Sequence, residues 1–324
     1  MPAYGRYAQP GGTFHISGGK ATMRQYPKTI LSIQQQIQSY IDAGMDVTSQ
    51  DEAREALTTI GYYRLRGYSY HLYDNSVKQY QPNTKFSDIL SLYHFDTALS
   101  HLIFSMLSPI EVALRVRLKE ALLVYGDPLI LNDPTVFDDK KNYWQNAGVI
   151  ASEIARSNDV FIKHNFSSHG GQIPLWAVVE VMSFGTLSKT IKNLETGTGT
   201  AYSKLAEFYK YKTLNSNMAK PNKKMLSSWV HAASVLRNIC AHNSRIYNRT
   251  INTVPELIAA DRMNPQPRYN GLYQVILAMK YLRPADKVWV DFVTGFKRLI
   301  TESSAVIDLG RMNFPSDWES HFVI

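Results

Sequence analysis

Lys224-Met225-Leu226-Ser227-Ser228-Trp229-Val230-His231-Ala232-Ala233-Ser234-Val235-Leu236-Arg237-Asn238-Ile239-Cys240-Ala241-His242-Asn243-Ser244-Arg245-Ile246-Tyr247-Asn248-Arg249 begins as a helix made to be buried and ends as something else. Leu226, Trp229, Val230, Ala233, Leu236 and Cys240 fall on one stripe at steps of three and four, the pattern of a core-facing helix. Arg237, Asn238, His242, Asn243, Arg245, Asn248 and Arg249 then crowd a segment that still holds Ile239, Ala241 and Ile246. Packing alone does not call for so many polar and cationic groups where an apolar stripe ends. The candidate chemistry is therefore placed here.

Outward from this stretch, the 324 residues and 44% hydrophobic content suit one large helical domain or two smaller ones. No apolar run approaches the ~20 residues of a membrane span. The glycine-rich N-terminus lacks the apolar core of a secretory signal, and residues 1–25 are expected to be a flexible lead-in. Residues 26–310 are read as a single helical body, with a subdivision conceivable near 169–174, and 311–324 as a tail. The single cysteine, Cys240, excludes an internal disulfide framework and a cysteine zinc cage, and it fits a reducing cytoplasm. A net charge of +8 and 20 tyrosines, several beside Lys or Arg, suit a nucleic-acid partner without requiring one.

Periodicity predicts helices and no strand series, so the fold class is all-α. Pro27 opens an expected helix over 27–43 with Gly44 as its stop, and Ser49 with Glu52 caps a short helix ending at Gly61. Gly61-Tyr62-Tyr63-Arg64-Leu65-Arg66-Gly67-Tyr68-Ser69-Tyr70-His71 reads either as a turn whose tyrosines fill a gap between helices, or as an RNA-facing patch of rings and guanidinium planes. From Phe86 to Tyr125 runs the strongest helical pattern, with a kink or two abutting helices expected at Pro109 and Gly126 as its stop. Glu111, Arg115 and Lys119 recur every four residues and read as mutually paired side chains on a solvated face. Residues 175–187 are nearly all apolar, as one buried helix would be. Glu180 among them is expected to form a buried ion pair or to orient an active-site group. Tyr202, Lys204, Phe208, Tyr209, Lys210, Tyr211, Lys212, Lys220, Lys223 and Lys224 interleave basic and aromatic side chains, either to track a sugar-phosphate backbone or as plain solvated lysines. Further helical patterns lie near 255–262, 269–282 and 287–309, and Phe314, Trp318 and Phe322 are expected to tuck against the body.

Arg237 and His242 are five residues apart, about 140° around a straight helix, so they do not share a face. Both reach one phosphate only if the helix ends near His242, or if a second copy of the site faces the first. In such a cleft His242 exchanges protons near neutrality. Arg237 holds the scissile phosphate and stabilises the added charge of the transition state, while Asn238 orients the imidazole. RNA brings its own nucleophile, the 2′-hydroxyl, so the scheme calls for no metal and no cofactor. Arg-x4-His is a weak signal by itself: Arg66 and His71 match it too. If Arg245 and Arg249 continue the helix they share a stripe with His242, there to contact RNA phosphates or to pair with Glu180 and Glu111. The rival readings are a structured-RNA-binding protein without turnover, using the same basic and aromatic surface, and a purely protein-binding helical scaffold.

Leu236-Arg237-Asn238-Ile239-Cys240-Ala241-His242-Asn243-Ser244-Arg245-Ile246-Tyr247-Asn248-Arg249 closely resembles the signature of Abi-like proteins of bacterial abortive-infection systems, of the AbiD/AbiF type. Gly61-Tyr62-Tyr63-Arg64-Leu65, Tyr93-His94-Phe95-Asp96, Ile110–Arg115 and Leu175–Leu187 resemble its other blocks, in the same order. The resemblance implies a HEPN helical domain, whose Arg-x4-His motif marks metal-independent ribonucleases commonly active as homodimers. Here that motif falls on Arg237 and His242, with Asn238 in the polar second position. It further implies phage defence through RNA damage, association with a small non-coding RNA, and similarity to the HEPN portions of CRISPR effectors that cut RNA. The RNA contacts expected on this reading are Arg245, Arg249, Lys223, Lys224, Lys210, Lys212, Tyr211, Arg64 and Arg66.

Overall fold

The apolar pattern after Phe86 folds as one unbroken helix, against which several of the other helices pack. The computed structural model describes residues 29–262 and 271–324; the lead-in expected over 1–25 lies outside them. The all-α reading holds: the described residues form helices linked by loops and two short hairpins. Before the long helix come α1 (Ile33–Asp42), α2 (Gln50–Thr59), α3 (Tyr62–Ser69) and a hairpin of β1 (Tyr73–Asp74) with β2 (Gln79–Tyr80). The long helix is α4 (Phe86–Leu122), followed by α5 (Lys140–Arg156), α6 (Val160–Ser168), α7 (Leu175–Val181), α8 (Phe184–Asn193) and α9 (Ala201–Glu207). A second hairpin, β3 (Tyr211–Lys212) with β4 (Met218–Ala219), leads into α10 (Lys223–Ala241). The chain closes with α11 (Leu272–Leu282), α12 (Asp286–Glu302) and α13 (Trp318–His321).

Leu99, Ile103, Ile110, Leu114 and Leu118 of α4 are fully buried, at the predicted steps of three and four. They pack against α3, α7, α9, α10 and α12. The segment Phe86–Tyr125 is long and apolar enough, by length and composition only, to cross a membrane, a test that a buried core helix also passes. Sequence reading did not raise this, because scattered charges break its apolar run. Helix α10 is the second axis of the core. Leu226, Trp229, Val230, Ala233 and Leu236 are buried completely, as the stripe predicts, against α4, α8 and α11. Trp229 stacks on Tyr281 with 5.1 Å between centroids and donates to the Glu256 carbonyl at 2.6 Å. Phe314, Trp318 and Phe322 tuck in as expected, closing over Phe296. One cluster of buried apolar side chains runs from Ile37 to Phe322, past the loop at 169–174.

Several boundaries move for local reasons. Helix α1 starts at Ile33, because Ser32 and Gln35 form a reciprocal capping box, while Pro27, the expected opening, lies outside the described residues. The Gly61–His71 stretch is helix and not turn: Gly61, at φ +92°, makes the corner, and α3 follows at once. Pro109 lies inside α4 without ending it. The apolar run 175–187 is two helices, divided where Ser183 caps α8 by accepting from the Thr186 amide at 3.2 Å. Near 255–262 only a short 3-10 turn forms, Ala259–Asp261.

Candidate functional site

Helix α10 stops where its chemistry begins. Asn243 takes a left-handed conformation, φ +48°. The Ser244 amide returns to the Ile239 carbonyl and the Asn243 amide to that of Cys240, both at 3.0 Å. This is the Schellman pattern, and it satisfies carbonyls that the last turn would otherwise orphan. His242 is thereby the helix cap and not a helical residue. Its side chain is exposed, and among the described residues its imidazole has no hydrogen-bond partner. Helix α10 thus ends at His242, whose own amide still makes the helical bond to the Asn238 carbonyl at 3.0 Å.

Directly after the cap, the chain is tied down by Asp96 of α4. This buried carboxylate accepts from the Tyr68 hydroxyl (2.7 Å) and from the Ile246 (3.0 Å) and Tyr247 (2.7 Å) amides. Burial nevertheless pushes its pKa up, the hydrogen bonds offsetting only part of the desolvation. Arg64 of α3 adds a second tie, donating to the Asn243 carbonyl at 2.6 Å. A helix end with this many anchors holds His242 in place at its backbone.

One turn back, Arg237 is held by Glu111 of α4. Its Nε and Nη2 lie 3.2 and 3.3 Å from the two carboxylate oxygens. Arg115 pairs with the same carboxylate at 2.6 Å, and its Nη1 donates to the Val179 (2.5 Å) and Met182 (2.7 Å) carbonyls at the end of α7. The chain of contacts from α7 through Arg115 and Glu111 to Arg237 fixes the guanidinium. Two cations share one anion, so a formal positive charge is left over. It is nearest solvent at Arg237, whose side chain is 32% exposed against 13% for Arg115. Asn238 uses its side-chain oxygen to accept a long 3.4 Å hydrogen bond from Arg237 and its carbonyl to accept the His242 amide. Within one chain it thus braces the arginine and the cap backbone, not the imidazole ring.

Glu111 and Arg115 pair as their spacing predicts, but not on the solvated face expected of the Glu111–Arg115–Lys119 row. Glu111 is buried, and only Lys119 pairs on a more open face, with Glu120 at 3.0 Å. Glu180, expected to be buried, is exposed. Trp176 and Glu180, four residues apart, share the outer face of α7, and Arg115 meets Glu180 only at its backbone carbonyl, at 3.2 Å. Arg245 and Arg249 do not continue a helical stripe, since α10 has ended. Arg245 lies over the Tyr68 ring at 6.0 Å, and Arg249 donates to the Arg245 carbonyl at 3.3 Å. Neither forms an ion pair with Glu111 or Glu180.

The remaining expected RNA contacts divide. Arg64 is exposed beside His242. Arg66 lies over the Tyr62 and Tyr73 rings and donates to the Tyr62 hydroxyl at 3.1 Å. Lys223 and Lys224 start α10, about 27 Å from its other end. They pair with Asp138 and Glu256, and Lys210 pairs with Glu207 at 2.6 Å. Lys212 is exposed, whereas Tyr211 packs edge-on against Trp229 and Tyr281. The second Arg-x4-His match makes no site. His71 sits against Tyr247 with a buried, unpartnered Nδ1. Burial, then the Arg311 and Arg245 charges, push its pKa down to about 4.

The residues that sequence reasoning missed are Asp96, Glu111 and Arg115 in their anchoring roles. Asp96 and Glu111 lie among the apolar positions of a long helix, and a charge in a core stripe was the one available signal.

A family model described as Abi-like protein matches residues 55–248, which takes in α3, α4 and all of α10 with its cap. No curated protein and no solved structure matches the chain significantly.

Proposed function

Because the chain belongs to the Abi-like protein family, we propose that it is a HEPN-type endoribonuclease of a bacterial abortive-infection system, acting in the cytoplasm as a homodimer and without a metal. The observation that carries this reading is the surfaced end of α10, where a braced, one-third-exposed Arg237 and an exposed His242 occupy successive turns. The RNA 2′-hydroxyl attacks the adjacent phosphorus. The new bond to the 2′-oxygen forms as the bond to the 5′-oxygen breaks. One imidazole takes the 2′-hydroxyl proton, and a second, from the facing copy, gives a proton to the leaving 5′-oxygen. Arg237 carries the phosphate and its developing charge. Products then end in a cyclic 2′,3′-phosphate and a free 5′-hydroxyl. A small structured RNA held on the basic, tyrosine-rich surface would make the working unit a ribonucleoprotein.

Replacing both Arg237→Ala and His242→Ala is expected to abolish cleavage of labelled RNA and toxicity in cells, with the fold and dimer retained. Unchanged cleavage would overturn the assignment. One observation favours a second reading: the Arg237 guanidinium already has a carboxylate partner, as suits an RNA-binding protein without turnover. That protein binds RNA with steep salt dependence and yields no cyclic-phosphate ends.

A further inference from the structure

Beside His242 lies a polar cleft of about 380 Å³, walled by the end of α2, by α3 and α4, and by Asn243 and Ser244. Its size falls within the range of small-ligand sites. Its chemistry is specific in three ways. Thr59 and Thr97 both line it, and both have committed their hydroxyl protons, to the Glu55 (2.8 Å) and Tyr93 (3.0 Å) carbonyls of their own helices. Each therefore offers a ligand lone pairs and not a proton. Arg64 spends one Nη1 hydrogen on the Asn243 carbonyl and keeps further N–H donors. Tyr93 supplies a half-buried aromatic wall, edge-on to Tyr68 with 5.7 Å between centroids.

The charge balance narrows the ligand. Arg64 and Asp96 both line the cleft, so its lining carries residues of both charge signs. A bare phosphate gains little from such a lining, whereas a flat neutral ring with donors and acceptors on its edge fits it. The cleft adjoins the candidate site in the chain, since Asn243, which lines it, directly follows His242.

We propose that this cleft seats a nucleobase, the one adjoining the phosphate at Arg237 and His242; its position relative to that phosphate rests on the ribonuclease reading above. The two threonine acceptors favour a base with an exocyclic amine, so adenine, cytosine and guanine are preferred over uracil.

Isothermal titration of the full chain with the four ribonucleoside 3′-monophosphates, against inorganic phosphate as control, tests this. Uridine 3′-monophosphate is expected to bind about tenfold more weakly than the best of the others, the size of one or two lost hydrogen bonds. Thr97→Val and Thr59→Val each narrow that gap, with melting curves recorded to show that both variants fold. His242→Ala keeps the gap. Four nucleotides bound alike, or none tighter than inorganic phosphate, overturn the proposal. Discrimination without any RNA cleavage retains the cleft and removes the ribonuclease reading; cleavage without discrimination does the reverse.

Discussion

At the scale of the residue, Glu111 sets the arrangement of charge. Its carboxylate lies between two guanidinium groups, and removing it leaves Arg115 partly buried without a counter-charge. Glu111→Ala is expected to lower stability by about 3 kcal/mol, the low end for a broken buried pair because Arg237 is partly solvated. A fall in the urea midpoint measures it. His71 gives the pH dependence a sign. In the unfolded chain it takes a proton near pH 6.5, but in the fold burial holds it neutral down to about 4. Protonation therefore favours the unfolded chain, and stability is lost as pH falls from about 6.5 toward 4. With the ring only half buried the loss is on the order of 1–2 kcal/mol. Chemical denaturation at pH 7 and pH 5 should show it, and a His71→Phe variant should show less.

At the scale of the element, the end of α10 sets where His242 is held and where the chain turns away after it. Five residues along the helix turn His242 about 140° from Arg237. The His242 amide still bonds the Asn238 carbonyl, so the left-handed Asn243 redirects only the chain that follows. On the ribonuclease reading, that leaves the second copy to bring the two groups to one phosphate. Asn243→Gly is expected to preserve both melting temperature and RNA cleavage. Asn243→Val is expected to cost about 1–2 kcal/mol, because a branched side chain meets the backbone in that conformation. It should also slow cleavage by displacing His242. Equal cleavage by the two variants would show that the cap does not position the imidazole. Helix α4 shows the other side of this scale. Its periodicity was plain, but the same pattern concealed Asp96 and Glu111, whose partners lie on α3, α10 and the segment after the cap.

At the scale of the whole molecule, a charge of +8 overstates the surface free to meet RNA. Lys210, Lys223 and Lys224 have acidic partners, and Arg66 lies over two tyrosine rings. Arg64, Arg245, Arg249 and Lys212 have no ion pair among the described residues. If these alone meet phosphates, the slope of log affinity against log salt for single-stranded RNA is roughly −3, against roughly −6 if every expected cation takes part. Filter binding across salt concentrations separates the two values. If two copies complete the site, cleavage at low protein concentration rises more steeply than linearly.

The amino-acid order by itself determined the helical class, the buried stripes of α4 and α10, and the neighbourhood in which Arg237 and His242 fall, since each is a matter of local spacing. Only the tertiary structure decided which charges are buried, which carboxylate braces Arg237, and that Glu180 faces outward while Glu111 faces in. Those outcomes depend on which helix lies across which. Glu111 and Arg237 are held together by the packing of α4 on α10, and no pattern within either helix encodes the partner it will meet.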